Sequence, residues 1–157
     1  MPTKGVHILK NDETEHTVLV TPEMANFHGN MHGGELLKIL DKVAYICATR
    51  YSGSYSVTLS VDKVTFKQSI KIGELLTFLA KVNNTGRTSM EIGIKVIAEN
   101  LQKKHVRHTN TCYFTMVAVD ENGKTTAVPE FIPKTEEEIN RHKDALARRE
   151  LRLKGRK

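Results

Sequence analysis

Residues 26–50, NFHGNMHGGELLKILDKVAYICATR, constrain this chain more than any other stretch. A polar, glycine-rich loop with two histidines passes through Gly33-Gly34 and becomes an amphipathic helix. Leu36, Leu37, Leu40, Val43, Ala44, Cys47 and Ala48 recur at the helical period and form one apolar face, with Lys38 and Lys42 opposite. Ser52-Gly53 supplies the stop, because glycine suits a left-handed cap. The spacing predicts a helix over residues 33–51 that must bury one face.

Most of the chain beyond this helix has a period of two. Ahead of the helix, residues 16–20 (HTVLV) already predict one strand, ended or bent by Thr21-Pro22, and residues 23–32 read as a loop. In residues 55–66, Val57, Leu59 and Val61 alternate, and Val64 and Phe66 come after them with changed parity. That change predicts a bulge near Asp62-Lys63. Further strands are expected over residues 75–82, 89–100 and 106–119. Asn83-Asn84-Thr85-Gly86 and residues 120–123 supply turn chemistry. Residues 136–152 predict a charged helix with a thin apolar seam of Ile139, Ala145, Leu146 and Leu151, acidic at its start and basic at its end. An antiparallel sheet curled round one buried helix is the economical α+β arrangement. The expected division is an arm over residues 1–15, with Val6, Ile8 and Leu9 against the body, a domain over 16–133, and a charged helix and tail over 134–157.

With 157 residues, 39% hydrophobic and 27% charged, the chain fits one soluble globular domain. No apolar run approaches the ~20 residues of a membrane span, and the first residues lack a signal-peptide core. Cys47 and Cys112 read as small buried groups in a reducing compartment, so the expected location is cytoplasmic. The net charge of +6, much of it C-terminal, favours anionic partners. The C-terminal helix has no interleaved aromatics and opens on acidic residues, which argues against nucleic acid. It is expected to be a solvated helix docked on an oligomer.

Few residues carry chemistry. Asp41 falls at the edge of the apolar helix face, beside Leu37, Ala44 and Ala48. A partly buried carboxylate there is a candidate base or nucleophile, or simply an ion-pair partner for Lys38 or Lys42. Asn26 can both donate and accept, toward a substrate or toward its own loop. Gly33 and Gly34 offer free N–H groups to a negative oxygen, or allow close packing. His28 and His32 are four apart, but the loop setting spoils a helical ligand pair and no third ligand accompanies them, so no metal is expected. No phosphate loop or dinucleotide fingerprint is present.

The segments ANFHGNMHGGELLKILDKVAY, VTLSVDKVTFKQSIKIGE, NNTGRTSMEIGIKV and HTNTCYFTMVAVDENGK, spanning roughly residues 18–129, resemble the hotdog-fold acyl-CoA thioesterases, the bacterial type related to brain acyl-CoA hydrolase. The resemblance implies a long helix wrapped by an antiparallel sheet. It also implies homodimers with shared active sites, often gathered as trimers of dimers. Asp41 then matches the catalytic carboxylate, and Asn26 the group that orients water or binds the carbonyl. Gly33 and Gly34 become oxyanion donors, while Arg87, Thr88 and Ser89 border the CoA phosphates. Ser60, Val61 and Asp62 are expected along the pantetheine channel. Acyl-CoA is the expected substrate, with no separate cofactor and no membrane partner. Asp41 has no histidine beside it on the helix, which argues against a dehydratase. The competing reading is a non-catalytic acyl-CoA binding or sensing module.

Overall fold

The computed structural model describes residues 10–155. The arm residues Val6, Ile8 and Leu9 lie outside the described part. Five strands form one antiparallel sheet, β1 (Glu13–Leu19), β2 (Tyr55–Asp62), β3 (Leu75–Thr85), β4 (Ser89–Asn100) and β5 (His105–Val119), in the order β1-β3-β4-β5-β2. Helix α1 (Gly33–Ser52) lies along one face, and helix α2 (Glu136–Lys154) comes after the last strand. This is the expected hotdog architecture.

Helix α1 ends where the sequence predicts. Gly53 takes φ 71 and donates its N–H to the Thr49 carbonyl. The buried stripe is Leu36, Ile39, Leu40, Val43, Ala44, Cys47, Ala48 and Tyr51. Leu37, expected on that stripe, is exposed instead, and Ile39 takes the inner position. The stripe packs on alternate residues of the sheet, including Leu76, Phe78, Ile92, Ile94, Phe114 and Met116. Register places these residues opposite one another, Val82 against Ile92 and Ile92 against Phe114. Burial of this shared apolar surface is what holds the helix to the sheet.

Several boundaries differ from the sequence reading. Strand β1 begins at Glu13, inside the expected arm. Asn83, Asn84 and Thr85 belong to β3 rather than to the turn, with a register shift between Val82 and Asn84. The shift lets buried Asn83 donate through Nδ2 to Glu91 Oε1 at 3.2 Å. The bulge in β2 lies between Thr58 and Ser60, not at Asp62-Lys63, and the strand ends at Asp62. Its consequence is large. Val57 and Leu59, the apolar residues of the alternation, are each 50% exposed, while Ser56 is buried and bonds Thr49 of the helix.

Helix α2 docks on its own chain's sheet, on the face opposite α1, rather than being a merely solvated helix. Of its seam only Ala145 is buried. Arg148 bonds Glu91 at 2.6 Å through Nη2, and its guanidinium lies 3.5 Å over the Tyr113 ring. Arg152 pairs with Asp62 at 3.0 Å. The helix opens with a full capping box between Thr135 and Glu138.

Candidate active site

The loop before α1 is built on Asn26. Its Oδ1 accepts the N–H groups of His28 at 2.9 Å and Asn30 at 3.2 Å. Asn26 therefore shapes its own loop, as loop asparagines do. Among the described residues Asn26 Nδ2 makes no hydrogen bond, and its side chain faces the cavity described next. Asn26, His32, Gly33, Leu36, Phe66 and Gln68 line a cavity of about 220 Å³.

Helix α1 starts at the wall of that cavity. His32 occupies the N-cap with no side-chain cap bond. The first amides of the helix are thus left facing outward, where the helix dipole favours negative charge. Gly33 lines the cavity and Gly34 does not. A Cβ at Gly33 would stand 3.3 Å from the Phe66 ring, whereas one at Gly34 would meet nothing. Close packing explains Gly33 alone.

Asp41 stands in a different place. It lines a cavity of about 600 Å³ with Lys42, Tyr45, Ile46, Ser56, Val57, Thr58 and Met116. The carboxylate is exposed in the single chain rather than partly buried, because β2 is an edge strand and no further strand among the described residues covers it. Its partner is neither Lys38 nor Lys42. Thr58 Oγ1 donates to Asp41 Oδ1 at 2.6 Å. This bond holds one carboxylate oxygen and leaves the other open to water. Sequence reasoning missed Thr58. The available signal was the polar set Ser56, Thr58 and Ser60 that alternates with Val57, Leu59 and Val61.

The expected CoA residues are scattered. Asp62 lines a third cavity, of about 790 Å³, beside Lys63, Lys67, His108 and Arg152. Ser60 Oγ is buried with no partner among the described residues, and Val61 packs on the core. Arg87 and Thr88 form the β3–β4 turn, and Ser89 opens β4. None of these three lines the cavities that hold Asn26, Asp41 or Asp62. A Cβ at Gly86 would stand 2.9 Å from Arg149 Nη2, so a guanidinium of α2 overlies that turn. Arg148, Arg149 and Arg152 were not among the sequence candidates, since only the tertiary structure brings α2 to them.

His28 and His32 gather no third ligand. Among the described residues no group of three or more His, Cys, Asp or Glu side chains is arranged to hold a metal. Burial pushes the thiols of Cys47 and Cys112 up to about 12, so both are held as inert thiols. No described helix is long and apolar enough to cross a membrane.

Comparison with known proteins places the chain. The thioesterase superfamily profile matches residues 28–104. Protein VdlD of Helicobacter pylori is 59% identical over 137 residues, covering 87% of this chain and 78% of that protein. A hexameric acyl-CoA thioesterase, solved in its apo form, has a TM-score of 0.88 at 40% identity over 92% of each chain. An acyl-CoA hydrolase from Staphylococcus aureus, in complex with butyryl coenzyme A, coenzyme A and coenzyme A disulfide, has a TM-score of 0.86 at 31% identity over 93% of this chain and 89% of that one. The same hydrolase has been solved as alanine variants of one aspartate, one asparagine and one threonine. By sequence and by fold, the chain belongs to the thioesterase superfamily.

Proposed function

We propose that this enzyme hydrolyses acyl-CoA to free fatty acid and CoA at sites shared between two copies of the chain. The observation that carries the reading is the separation of the parts. Gly33 opens α1 and Asp41 comes eight residues later, which places them about 12 Å apart along one helix. A reacting carbonyl needs its base and its oxyanion donors each at about 3 Å. One chain cannot supply both to one carbon, but two chains paired in opposite directions can. The surface for such pairing is the β2 edge, where Tyr55, Val57 and Leu59 are exposed. An unpaired apolar strand edge is a template for a second copy.

In the shared site, Asp41 and Thr58 come from one copy, Asn26 and the start of α1 from the other. Thr58 fixes Asp41 Oδ1, and Oδ2 takes a proton from water or attacks the thioester carbonyl itself. As negative charge gathers on the carbonyl oxygen, the Asn26 Nδ2 and the Gly33 and Gly34 amides stabilise it. On the first route the water oxygen adds to the carbonyl, the C–S bond breaks, and the proton held on Asp41 passes to sulfur so that CoA leaves as its thiol. On the second the thiolate leaves and is protonated by solvent, and water then cleaves the acyl–Asp41 anhydride to free the fatty acid. CoA is part of substrate and product, and the route uses no separate cofactor or metal. Ser60, Val61, Asp62, Arg87, Thr88 and Ser89 are read as the CoA-contacting set, completed by the second copy. The residue types substituted in the Staphylococcus hydrolase are those of Asp41, Asn26 and Thr58, which supports the assignment. The hexameric relative supports a trimer of such dimers, and a cytoplasmic location suits a CoA-dependent reaction.

The test measures thiol release from a panel running from acetyl-CoA to long-chain acyl-CoA. Asp41→Ala should lower kcat by about 10²–10⁴-fold while remaining folded. Mixed Asn26→Ala and Asp41→Ala proteins should regain activity through hybrid dimers. No recovery after proven subunit exchange would refute shared sites. Binding of acyl-CoA with no thiol release at any chain length would instead establish a sensing module.

A further inference from the structure

Two side chains in the first half of β5 grip the connection between β2 and β3. Asn110 donates through Nδ2 to the Thr65 carbonyl. Arg107 donates through Nε to Gln68 Oε1 at 3.1 Å and through Nη2 to the Ser69 carbonyl at 2.7 Å. The same guanidinium pairs with Glu74 through Nη1, and Nη2 adds a bond to Oε1 at 3.0 Å. Glu74 is only 5% exposed, and its Oε1 also accepts the Lys71 N–H at 2.9 Å. One guanidinium thus binds three residues of a single connection, a geometry suited to its planar fork and not to an ammonium.

The Asn26 loop hangs from that same connection. The Met31 N–H donates to the Ile70 carbonyl at 2.7 Å, and the Ile72 N–H to the Gly29 carbonyl at 3.4 Å. Asn30 and Lys71 form an antiparallel bridge between them. Gln68 and Ser69, both held by Arg107, line the cavity that contains Asn26 and Gly33. Arg107 itself does not line it.

We propose that Arg107 is a positioning residue for the thioesterase reaction. Through residues 68–74 it sets where the Asn26 loop rests, and so where the Asn26 amide stands relative to the start of α1. This inference rests on the reading of Asn26 as the carbonyl- or water-orienting group. It needs no contact between Arg107 and substrate.

The experiment is a double-mutant cycle on the intact full-length enzyme with one acyl-CoA, using wild type, Arg107→Lys, Asn26→Ala and the double variant. Arg107→Lys keeps the charge beside Glu74 but loses the fork. It should lower kcat by about tenfold or more with KM within about threefold, since small misplacements act on the chemical step. In the Asn26→Ala background the same change should alter kcat by less than about twofold, because both act through one group. Glu74→Gln, which leaves the Gln68 and Ser69 bonds in place, should shift kcat in the same direction by less, and it serves if Arg107→Lys fails to fold. Wild-type kcat in Arg107→Lys would overturn the proposal. So would a loss that multiplies in full with Asn26→Ala, which is what a merely structural role predicts. Wild-type kcat in Asn26→Ala alone would remove the reading of Asn26, and the inference with it, even while Asp41→Ala remained inactive.

Discussion

The two helices cover opposite faces of one sheet by different physics. Helix α1 lays a stripe of apolar side chains on an apolar sheet face, where swaps that conserve volume cost least. Helix α2 covers a face that carries Glu91, Asn83, Thr115 and Ser60, and it holds on through guanidinium groups. Among the described residues, Ser60 Oγ, Asn83 Oδ1 and Thr115 Oγ1 are buried without partners in the region α2 overlies. Burial on the α1 side is non-directional and tolerant. Attachment on the α2 side is directional, and removing one partner strands the other.

The sharpest way to break this comparison is Arg148→Ala. It leaves the Glu91 carboxylate, 4% exposed, without its cation. The expected cost is about 3–5 kcal/mol, read by denaturant unfolding at fixed protein concentration. The double change Arg148→Met with Glu91→Leu should recover most of it. Failure of that rescue would mean that α2 relies on charge itself rather than on avoiding a stranded one. On the other face, Leu40→Ala should cost about 2–5 kcal/mol through a cavity, with no rescue available from any charge change.

A smaller effect separates the helices at their ends. Thr135→Ala removes the α2 capping box and should cost about 1 kcal/mol, with amide exchange rising in the first turn of α2. Acid should act in the same direction. The Lys134 and Thr135 N–H groups bonded to Glu138 hold its carboxyl below the ordinary carboxylate value. Its contribution is therefore complete above that ordinary value and is lost as pH falls through the lowered one. Helix α1, whose cap is Gly53, has no such titrating group at its stop. Exchange measured down an acid series should open the start of α2 before the end of α1.

Legibility divided along the same line. The α1 period, its glycine stop and the alternation on β4 all reported burial inside one chain, and each appears in the structure with its boundary within a residue or two. Strand β2 misled for a physical reason. Val57 and Leu59 are apolar as core residues are, yet they lie exposed on the edge strand of the sheet. Composition does not distinguish an exposed apolar edge from an interior, and a single-residue bulge exchanges the two faces of a strand. Thr58 was hidden by that exchange. The α2 arginines were hidden differently, since a charge on a helix reads as solvated until its partner on a distant strand is known.

By itself the sequence determined that a helix with one apolar face would be enclosed by an antiparallel sheet, because periodicity arises from backbone geometry alone. It also carried the segments by which the chain resembles the thioesterases, Asp41 and Asn26 among them. Tertiary structure decided that Thr58 bonds Asp41, that Arg107 braces the connection behind Asn26, and that Asn26 and Asp41 line separate cavities. Those are matters of ångströms between residues far apart in the chain. They are settled by how strands register and helices dock, and local pattern carries no such distances.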